Sequence, residues 1–195
     1  ADVIGYSLDP VYQNGIYNLS KISDSITDYR KDLRDFPQLL EVFNKEKPEI
    51  VFHLGAQALV FDGYSSPLET FQTNTMGTAN VLEAIRLTDS VTTAVMVTTD
   101  KVYENKEWIW PYREDETIGG FDPYSASKGA CELIISSYRN SFFNTNKYDD
   151  HGKAIASVRA GNVIGGGDWC ENRIIPDCIK SIEKNEVIEV RSPNA

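Results

Sequence analysis

Short β-rich runs alternate with amphipathic helical segments along this chain, and this alternation is the feature that most limits its fold. The β-rich runs cover residues 3–6, 50–54, 92–98 and 153–159. Between them, apolar residues recur at helical spacing, as at Phe36, Leu39, Leu40 and Phe43. Strands alternating with helices of this length form βαβ units, with helices on both faces of a parallel sheet. The sequence therefore predicts an α/β fold built on a doubly wound parallel sheet.

Local signals predict where several of these elements begin and how they are buried. Residues 50–54 form a nearly uninterrupted apolar run, which is typical of a strand buried on both faces. Ser66-Pro67-Leu68-Glu69 has the pattern of a capping box and predicts a helix that continues to Ile85. Asp122, followed by proline, predicts the start of the helix that carries Tyr124.

Charge and residue usage exclude several classes of function. The formal net charge of −10 argues against a nucleic-acid partner, which requires a basic face. No run of 18 apolar residues indicates a membrane span. The cysteines and histidines lack disulfide or zinc-site spacing: Cys131, Cys170, Cys178, His53 and His151. We therefore expect a reduced cytoplasmic protein without a metal site.

Two short motifs carry residue types suited to chemistry. Tyr124 and Lys128 stand four residues apart, so on a helix they lie one turn apart on the same face. An ammonium near a phenol stabilises the phenolate, and the tyrosine can then act as a base below its free pKa of about 10. The motif Thr98-Thr99-Asp100-Lys101 ends a β-rich run and adds donors and acceptors. Together the motifs predict hydroxyl oxidation with a nicotinamide cofactor followed by proton transfer, whereas a lone Tyr–Lys pair would more simply be a solvated surface pair.

One element of a dinucleotide-binding fold is missing. Such a sheet normally starts with a strand, a glycine-rich turn and a helix whose N-terminus binds the pyrophosphate. The chain contains no GxGxxG or GxxGxxG pattern, and Gly165-Gly166-Gly167 comes too late to fill that role. Either the protein binds no dinucleotide, or the chain is a piece that lacks its first βα unit.

Five motifs in series resemble the extended short-chain dehydrogenase/reductase family: residues 53–57, 73–78, 98–103, 122–128 and 159–169. Within that family they are most similar to the sugar-nucleotide 4,6-dehydratases that act on CDP-glucose. The resemblance covers essentially the whole chain. It implies an internal fragment of a longer enzyme, with a partial Rossmann-like NAD-binding domain at 1–160 and the start of a smaller substrate domain at 161–195. It further implies NAD as cofactor, CDP-glucose or a related sugar nucleotide as substrate, and a dimer or tetramer for the full-length enzyme.

The same resemblance implies catalytic roles in three stages. Tyr124 removes the proton of the glucose 4-hydroxyl as hydride leaves C4 for NAD, while Lys128 lowers the pKa of that tyrosine and binds the nicotinamide ribose. Thr99 hydrogen-bonds the reacting oxygen. Asp100 then protonates the departing 6-hydroxyl as water is eliminated across C5 and C6, and hydride returns to C6.

Two further roles implied by the resemblance have alternatives. Lys101 replaces the glutamate that the dTDP-glucose dehydratases carry as a C5 base, and this departure supports the CDP-sugar branch. Lys101 is either the C5 base, once deprotonated, or a cation that stabilises the enolate while another group takes the proton. Asn74 either supports the active-site tyrosine and its proton path or is a satisfied polar residue of its helix.

The resemblance also implies the ligand contacts. The cofactor-binding residues it implies are Asp9, Asp32, Leu33, Gly55, Ala56, Gln57, Thr98, Tyr124 and Lys128. Asp32 is alternatively a surface charge, and Asp9 is one candidate for the ribose-binding acid. Asn162 and Arg173 match positions that contact the sugar-nucleotide phosphates, although Arg173 also suits a surface salt bridge.

Two other hypotheses remain beside the dehydratase. A nucleotide-sugar 4-epimerase shares Tyr124 and Lys128 but usually lacks an acid–base pair such as Asp100-Lys101. The chain is alternatively an inactive fragment of either enzyme. Because no glycine-rich turn is present to bind pyrophosphate, we expect the 195-residue chain alone to bind NAD poorly and to be inactive.

Overall fold

Parallel strands in two sheets form the centre of the fold. The computed structural model describes residues 1–190, so the last five residues of the second domain predicted at 161–195 lie outside the described residues. The strands are β1 (Ile4–Ser7), β2 (Thr27–Arg30), β3 (Ile50–His53), β4 (Thr93–Thr99) and β5 (Ala154–Ala160). β1 pairs with β2, and the second sheet has the order β3-β4-β5. Every pairing is parallel, which confirms the predicted fold class.

Helices connect and cover the strands. They are α1 (Ile16–Leu19), α2 (Phe36–Glu46), α3 (Val60–Ser65), α4 (Pro67–Phe71), α5 (Gly77–Leu87), α6 (Pro123–Ser141), α7 (Tyr148–His151) and α8 (Ile174–Lys184). The predicted helix at residues 36–43 is thus confirmed as the first two turns of α2. Among the residues described, no helix is long and apolar enough to cross a membrane.

The core lies between the three-stranded sheet and the helices α2, α5 and α6. Leu82 and Ile85 of α5, Met96 of β4 and Ile135 of α6 are fully or almost fully buried in one cluster. Burying each of these side chains contributes about 1.5–3 kcal/mol relative to exposure. This packing fixes α6, which carries Tyr124, against the sheet.

The prediction that residues 50–54 are buried on both faces is wrong. Successive strand side chains point to opposite faces, and here only one face is covered. His53 is buried near α5, whereas Ile50 and Phe52 are 56% and 65% exposed. Within residues 1–190, β3 also has a neighbour on one side only, namely β4. An apolar run therefore indicated a strand but not its surroundings.

The single helix predicted from the capping-box motif to Ile85 is also wrong in detail. The chain forms α4, then one π-helical turn at Gln72–Met76, and then α5. Ser66 lies at the N-cap of α4 without a side-chain capping bond, and the Glu69 carboxylate instead contacts Arg34 at 3.3 Å. The π turn contains Asn74, which is buried. Such turns are frequent at functional sites because they redirect one side chain within a helix.

Lys153 anchors the connection between α5 and β4, and its removal should be measurable as lost stability. Its buried ammonium donates to the carbonyl oxygens of Thr88 at 2.6 Å and Val91 at 3.0 Å. Lys153→Met keeps the aliphatic stem but leaves both carbonyls without this donor. We expect the free energy of unfolding to fall by about 1–3 kcal/mol in urea denaturation. The exposed Lys147→Met is the control, and an equal change in the two variants would contradict the anchoring role.

Candidate active site

A cleft of about 660 Å³ opens at the carboxyl ends of β4 and β5. The loop after β3, the first turn of α6 and residues 160–179 form its other walls. Six of the residues predicted from sequence line it: Thr98, Thr99, Lys101, Tyr124, Asn162 and Arg173. Its size is that of an ordinary small-molecule site, and its place at the strand ends is where α/β sheets bind ligands.

The start of α6 places Tyr124 at this cleft. The Asp122 carboxylate accepts a hydrogen bond from the backbone N–H of Ser125 at 3.0 Å, and Pro123 occupies the first helical position. This confirms the predicted N-cap. Tyr124 follows in the first turn and Lys128 one turn later, and both side chains are buried. The local capping signal therefore sets the register of the Tyr–Lys pair.

The phenol of Tyr124 has an unusual environment. Burial raises its pKa above 10, a hydrogen bond with Thr99 acts to lower it, and the charge of Asp100 raises it further. Lys128 donates to the backbone carbonyl of Val97 at 3.2 Å. That Lys128 lowers the pKa of Tyr124 stays a prediction. The charge of Arg173 acts to lower the same pKa, because a cation near a phenol favours the phenolate.

Lys128 is 5% exposed but makes only one hydrogen bond among residues 1–190. Burial lowers its pKa, while the neighbouring charge of Glu132 acts to raise it. An ammonium carries three N–H donors, so two donors have no acceptor within the described part of the chain. A ligand with hydroxyl groups fits this surplus of buried donors.

The chain turns sharply after β4 and brings three predicted residues together. The Thr99 hydroxyl donates to the Asp100 carboxylate at 3.0 Å and accepts from the backbone N–H of Lys101 at 3.3 Å. Val102, which is fully buried, anchors the end of this turn. A Cβ at Gly161 would lie 3.6 Å from the Asp100 carboxylate, so the chain after β5 passes close to this acid. The turn thus presents an acid and a hydroxyl beside Tyr124.

Asn74 lies beneath the cleft rather than in it. Its side-chain oxygen accepts from the Gln57 N–H at 2.8 Å, and its amide donates to the Gln57 carbonyl at 3.0 Å. The same amide donates to the Ser127 hydroxyl at 2.8 Å, and Ser127 donates to the backbone carbonyl of Tyr124 at 2.7 Å. Asn74 therefore joins the loop after β3 to α6, which positions the backbone of the tyrosine.

Two residues of this region were missed by the sequence analysis. His53 is buried with its Nε2 3.0 Å from the Thr78 hydroxyl, and burial together with the charge of Lys128 lowers its pKa to about 4. Glu132 is 5% exposed and stands one turn after Lys128 on α6. The spacing of Glu132 could have found it, since positions four apart share a helix face.

The residues predicted to contact the cofactor are only partly brought together. Leu33 packs against the backbone of Gly55 and Gly77, where a Cβ would lie 3.3 and 2.7 Å from its side chain. Close approach to Leu33 therefore explains the glycine at position 77. Asp32 forms a salt bridge with Arg34 at 2.6 Å, and hydrogen bonds from Arg34 hold the pKa of its carboxyl below the usual value.

Other predicted contacts lie elsewhere or already have partners. Asp9 is exposed in the loop after β1 and does not line the cleft. The Thr98 hydroxyl donates to the Glu132 carboxylate. Arg173 forms a salt bridge with Asp168 at 3.3 Å and lines the same cleft as Tyr124, and its charge acts to lower the pKa of that tyrosine. Residues 1–190 hold no group of three His, Cys, Asp or Glu arranged to bind a metal.

The fold and the cleft define a class of protein. A parallel α/β sheet with a Tyr-x-x-x-Lys helix packed against its central strand, and a threonine at that strand's carboxyl end, is the architecture of the short-chain dehydrogenase/reductases. The family model described as GDP-mannose 4,6 dehydratase matches residues 7–146. Because this match covers more than half of the chain, the chain belongs to the family that the GDP-mannose 4,6 dehydratase model describes.

Individual relatives agree with this assignment. The chain is 47% identical over 193 residues to the CDP-glucose 4,6-dehydratase of Salmonella typhimurium LT2, covering 99% of this chain and 54% of that enzyme. The chain thus spans about half the length of this curated relative. Its fold resembles that of a Streptomyces venezuelae dTDP-glucose 4,6-dehydratase with NAD bound, with a TM-score of 0.78 and 19% identity over 94% of this chain and 53% of that one. The fold also resembles that of a UDP-N-acetylglucosamine 4-epimerase from Methanobrevibacter ruminantium, with a TM-score of 0.70 and 26% sequence identity. That comparison covers 84% of this chain and 49% of the epimerase chain.

Proposed function

We propose that the whole protein is an NAD-dependent sugar-nucleotide 4,6-dehydratase that converts CDP-glucose to CDP-4-keto-6-deoxyglucose. The observation that carries this proposal is the grouping of Thr99 and Tyr124 at one cleft, with the Asp100 carboxylate hydrogen-bonded to the Thr99 hydroxyl beside it. The 47% identity to a CDP-glucose 4,6-dehydratase supports the same substrate. The proposal includes a homo-oligomer, a dimer or tetramer, for the whole protein.

The first stage is oxidation at C4 of the sugar. Tyr124, as phenolate, accepts the proton of the 4-hydroxyl, and the Thr99 hydroxyl beside it hydrogen-bonds the same oxygen. NAD, when bound, supplies the acceptor for the C4 hydride and its later donor at C6. Burial raises the pKa of Tyr124 and the charge of Arg173 acts against that rise, so a cation near the phenol favours the reactive phenolate.

The second stage is elimination of water. The 4-keto group acidifies the C5 hydrogen, and Asp100 protonates the departing 6-hydroxyl, so that C–H and C–O bonds break as a C5–C6 double bond forms. Lys101 lines the cleft next to Asp100 and either takes the C5 proton as the base or stabilises the enolate as a cation while another group takes that proton. Hydride return to C6 and protonation of C5 complete the product, with no net use of cofactor.

Several residues would hold the ligands. The two spare donors of Lys128 fit ribose hydroxyls, and the apolar Leu33 with Asp32 fits an adenosine end. Arg173 and Asn162 would contact the sugar-nucleotide phosphates, since both line the cleft. We also propose that residues 1–160 form a partial NAD-binding domain and that 161–195 begin a smaller substrate domain.

The remaining predicted contacts belong to the same proposal. Gly55, Ala56 and Gln57 follow β3 and would pass beneath the cofactor, with Gln57 held in place by Asn74. Thr98 would contact the cofactor through its backbone at the end of β4, because its hydroxyl already donates to the Glu132 carboxylate. Asp9 remains a candidate for the acidic residue that binds the ribose of the cofactor.

Product analysis tests the proposal. The whole protein, supplied with NAD and CDP-glucose, is expected to form the 4-keto-6-deoxy sugar nucleotide without accumulating NADH, because the C4 hydride returns to C6. A 4-epimerase is the second candidate, favoured by the structural likeness to the Methanobrevibacter enzyme. Formation of CDP-galactose alone would reject the dehydratase in favour of the epimerase.

A further inference from the structure

The ion pair between Glu132 on α6 and Arg159 on β5 is the most buried one among residues 1–190. The arginine Nε lies 3.1 Å from one carboxylate oxygen, and its second terminal nitrogen lies 3.3 Å from the other. Burial alone would raise the pKa of Glu132, but hydrogen bonds from Arg159 and Thr98 outweigh it and leave that pKa below its usual value. The glutamate is therefore an anion in a bidentate pair.

Stability alone is a weak reason for such a pair. The cost of desolvating two charges often equals or exceeds their attraction, and apolar residues of similar volume can replace a buried pair without loss of stability. What distinguishes this pair is its position. Glu132 stands one turn from Lys128 and also accepts a hydrogen bond from Thr98, at the end of β4.

Arg159 reaches in the other direction, toward the segment that follows Asp100 and Lys101. Its remaining terminal nitrogen donates to the backbone carbonyl of Glu114 at 3.0 Å, and its guanidinium lies 4.8 Å from the centroid of the Tyr103 ring. Glu114 and Tyr103 both belong to residues 103–118, which we call the strap. One side chain therefore connects α6, β5 and the strap.

The strap has few other attachments to the sheet. Its two ends are joined by hydrogen bonds from Glu104 N to Thr117 O at 2.9 Å and from Gly119 N to Val102 O at 2.8 Å. Between these ends, Ile109 and Trp110 are largely exposed. Ile118 of the strap packs beside Gly129 of α6, where a Cβ would lie 3.0 Å from its side chain, and Arg159 adds the charged attachment of the strap to α6.

We propose that Glu132 and Arg159 are positioning residues that hold the strap, and with it the turn of Asp100 and Lys101 that precedes it, in place relative to Tyr124 and Lys128. The chemical consequence rests on the proposed function: elimination depends on Asp100 and Lys101, whereas C4 oxidation depends on Tyr124 and Thr99. Loss of the strap contact should therefore slow elimination more than oxidation. A role in global stability alone would not separate the two steps.

The substitution Arg159→Lys tests this directly. Lysine keeps the positive charge beside Glu132, but its single ammonium cannot bridge the carboxylate and the Glu114 carbonyl as the planar guanidinium does. We expect backbone amide hydrogen exchange at Glu104 and Gly119 to become at least tenfold faster. In the whole protein we expect elimination to slow at least tenfold, NADH formation to stay within threefold, and KM to be unchanged.

Arg86→Lys is the matched control, because Arg86 forms an exposed bidentate pair with Glu83 at 2.7 and 2.8 Å. The Arg86→Lys variant should leave amide hydrogen exchange at Glu104 and Gly119, and the rates of oxidation and elimination, unchanged.

The Tyr103→Leu variant is a second test, for use if Arg159→Lys does not fold. It removes the ring contact but keeps the ion pair, so it should also accelerate amide hydrogen exchange. Unchanged exchange at Glu104 and Gly119 in the variants, or equal slowing of oxidation and elimination, would overturn the proposal. If the wild-type protein dehydrates no sugar nucleotide, the proposed function fails, and exchange without substrate still decides whether Arg159 holds the strap.

Discussion

Tyr124→Phe in the whole protein is expected to reduce C4 oxidation of CDP-glucose by about 10²- to 10⁴-fold, the range for losing a positioned general base. The substitution removes one oxygen from a buried side chain whose ring packing is retained, so the fold should persist. Rapid-mixing absorbance of NADH measures the oxidation step. Because burial raises the pKa of Tyr124 and the reactive form is the phenolate, the wild-type oxidation rate should increase with pH.

Tyr138→Phe is the control for this experiment. Tyr138 lies on the same helix and donates to the Glu83 carboxylate at 3.2 Å, away from the cleft. We expect its oxidation rate to stay within about twofold of wild type, as for a substitution outside the site. Oxidation in Tyr124→Phe within tenfold of wild type would contradict the assignment of the base.

Asp100→Asn in the whole protein is expected to slow elimination by about 10²- to 10⁴-fold while oxidation at C4 continues. The amide can still accept the hydrogen bond from Thr99, but it cannot protonate the departing 6-hydroxyl. NADH should therefore accumulate transiently, in contrast to its brief appearance in the wild type. Rapid mixing with product analysis separates the two steps.

Asp115→Asn provides the matched control, since Asp115 is an exposed acid within the strap and, unlike Asp100, makes no hydrogen bond with Thr99. Both steps should proceed in it at wild-type rates. If Asp100→Asn loses its transient NADH as completely as Tyr124→Phe, then Asp100 acts in oxidation and the proposed division of roles is incorrect.

Features encoded by neighbouring residues were predictable from the sequence. The helical spacing of Phe36, Leu39 and Phe43 predicted α2, and Asp122 followed by proline predicted the start of α6. These signals depend on hydrogen bonds and side-chain spacing within one or two turns, so no knowledge of distant residues is needed. The alternation of such elements predicted a parallel α/β sheet, and the motifs in series identified the family.

Other features depend on residues far apart in the chain. The π turn at Gln72–Met76 gave no recognised local signal, and it brings Asn74 to Gln57 and Ser127, which lie 17 and 53 positions away. Likewise, an apolar run predicted β3, but its exposed face depends on which elements pack against it. Propensity does not report such contacts, because they are decided by packing.

The sequence by itself determined the parallel α/β class, the helical segment of α2, the start of α6, and the spacing of Tyr124 and Lys128 on one helix face. Only the tertiary structure decided the electrostatics of that pair, because the pKa of a side chain depends on burial and on neighbours from other elements. Burial raises the pKa of Tyr124, and Lys128 binds the Val97 carbonyl. The ion pair between Glu132 and Arg159, which lie 27 positions apart in the chain, also depends on the tertiary fold. Local chemistry therefore identified the reacting groups, whereas long-range packing decided how they are held.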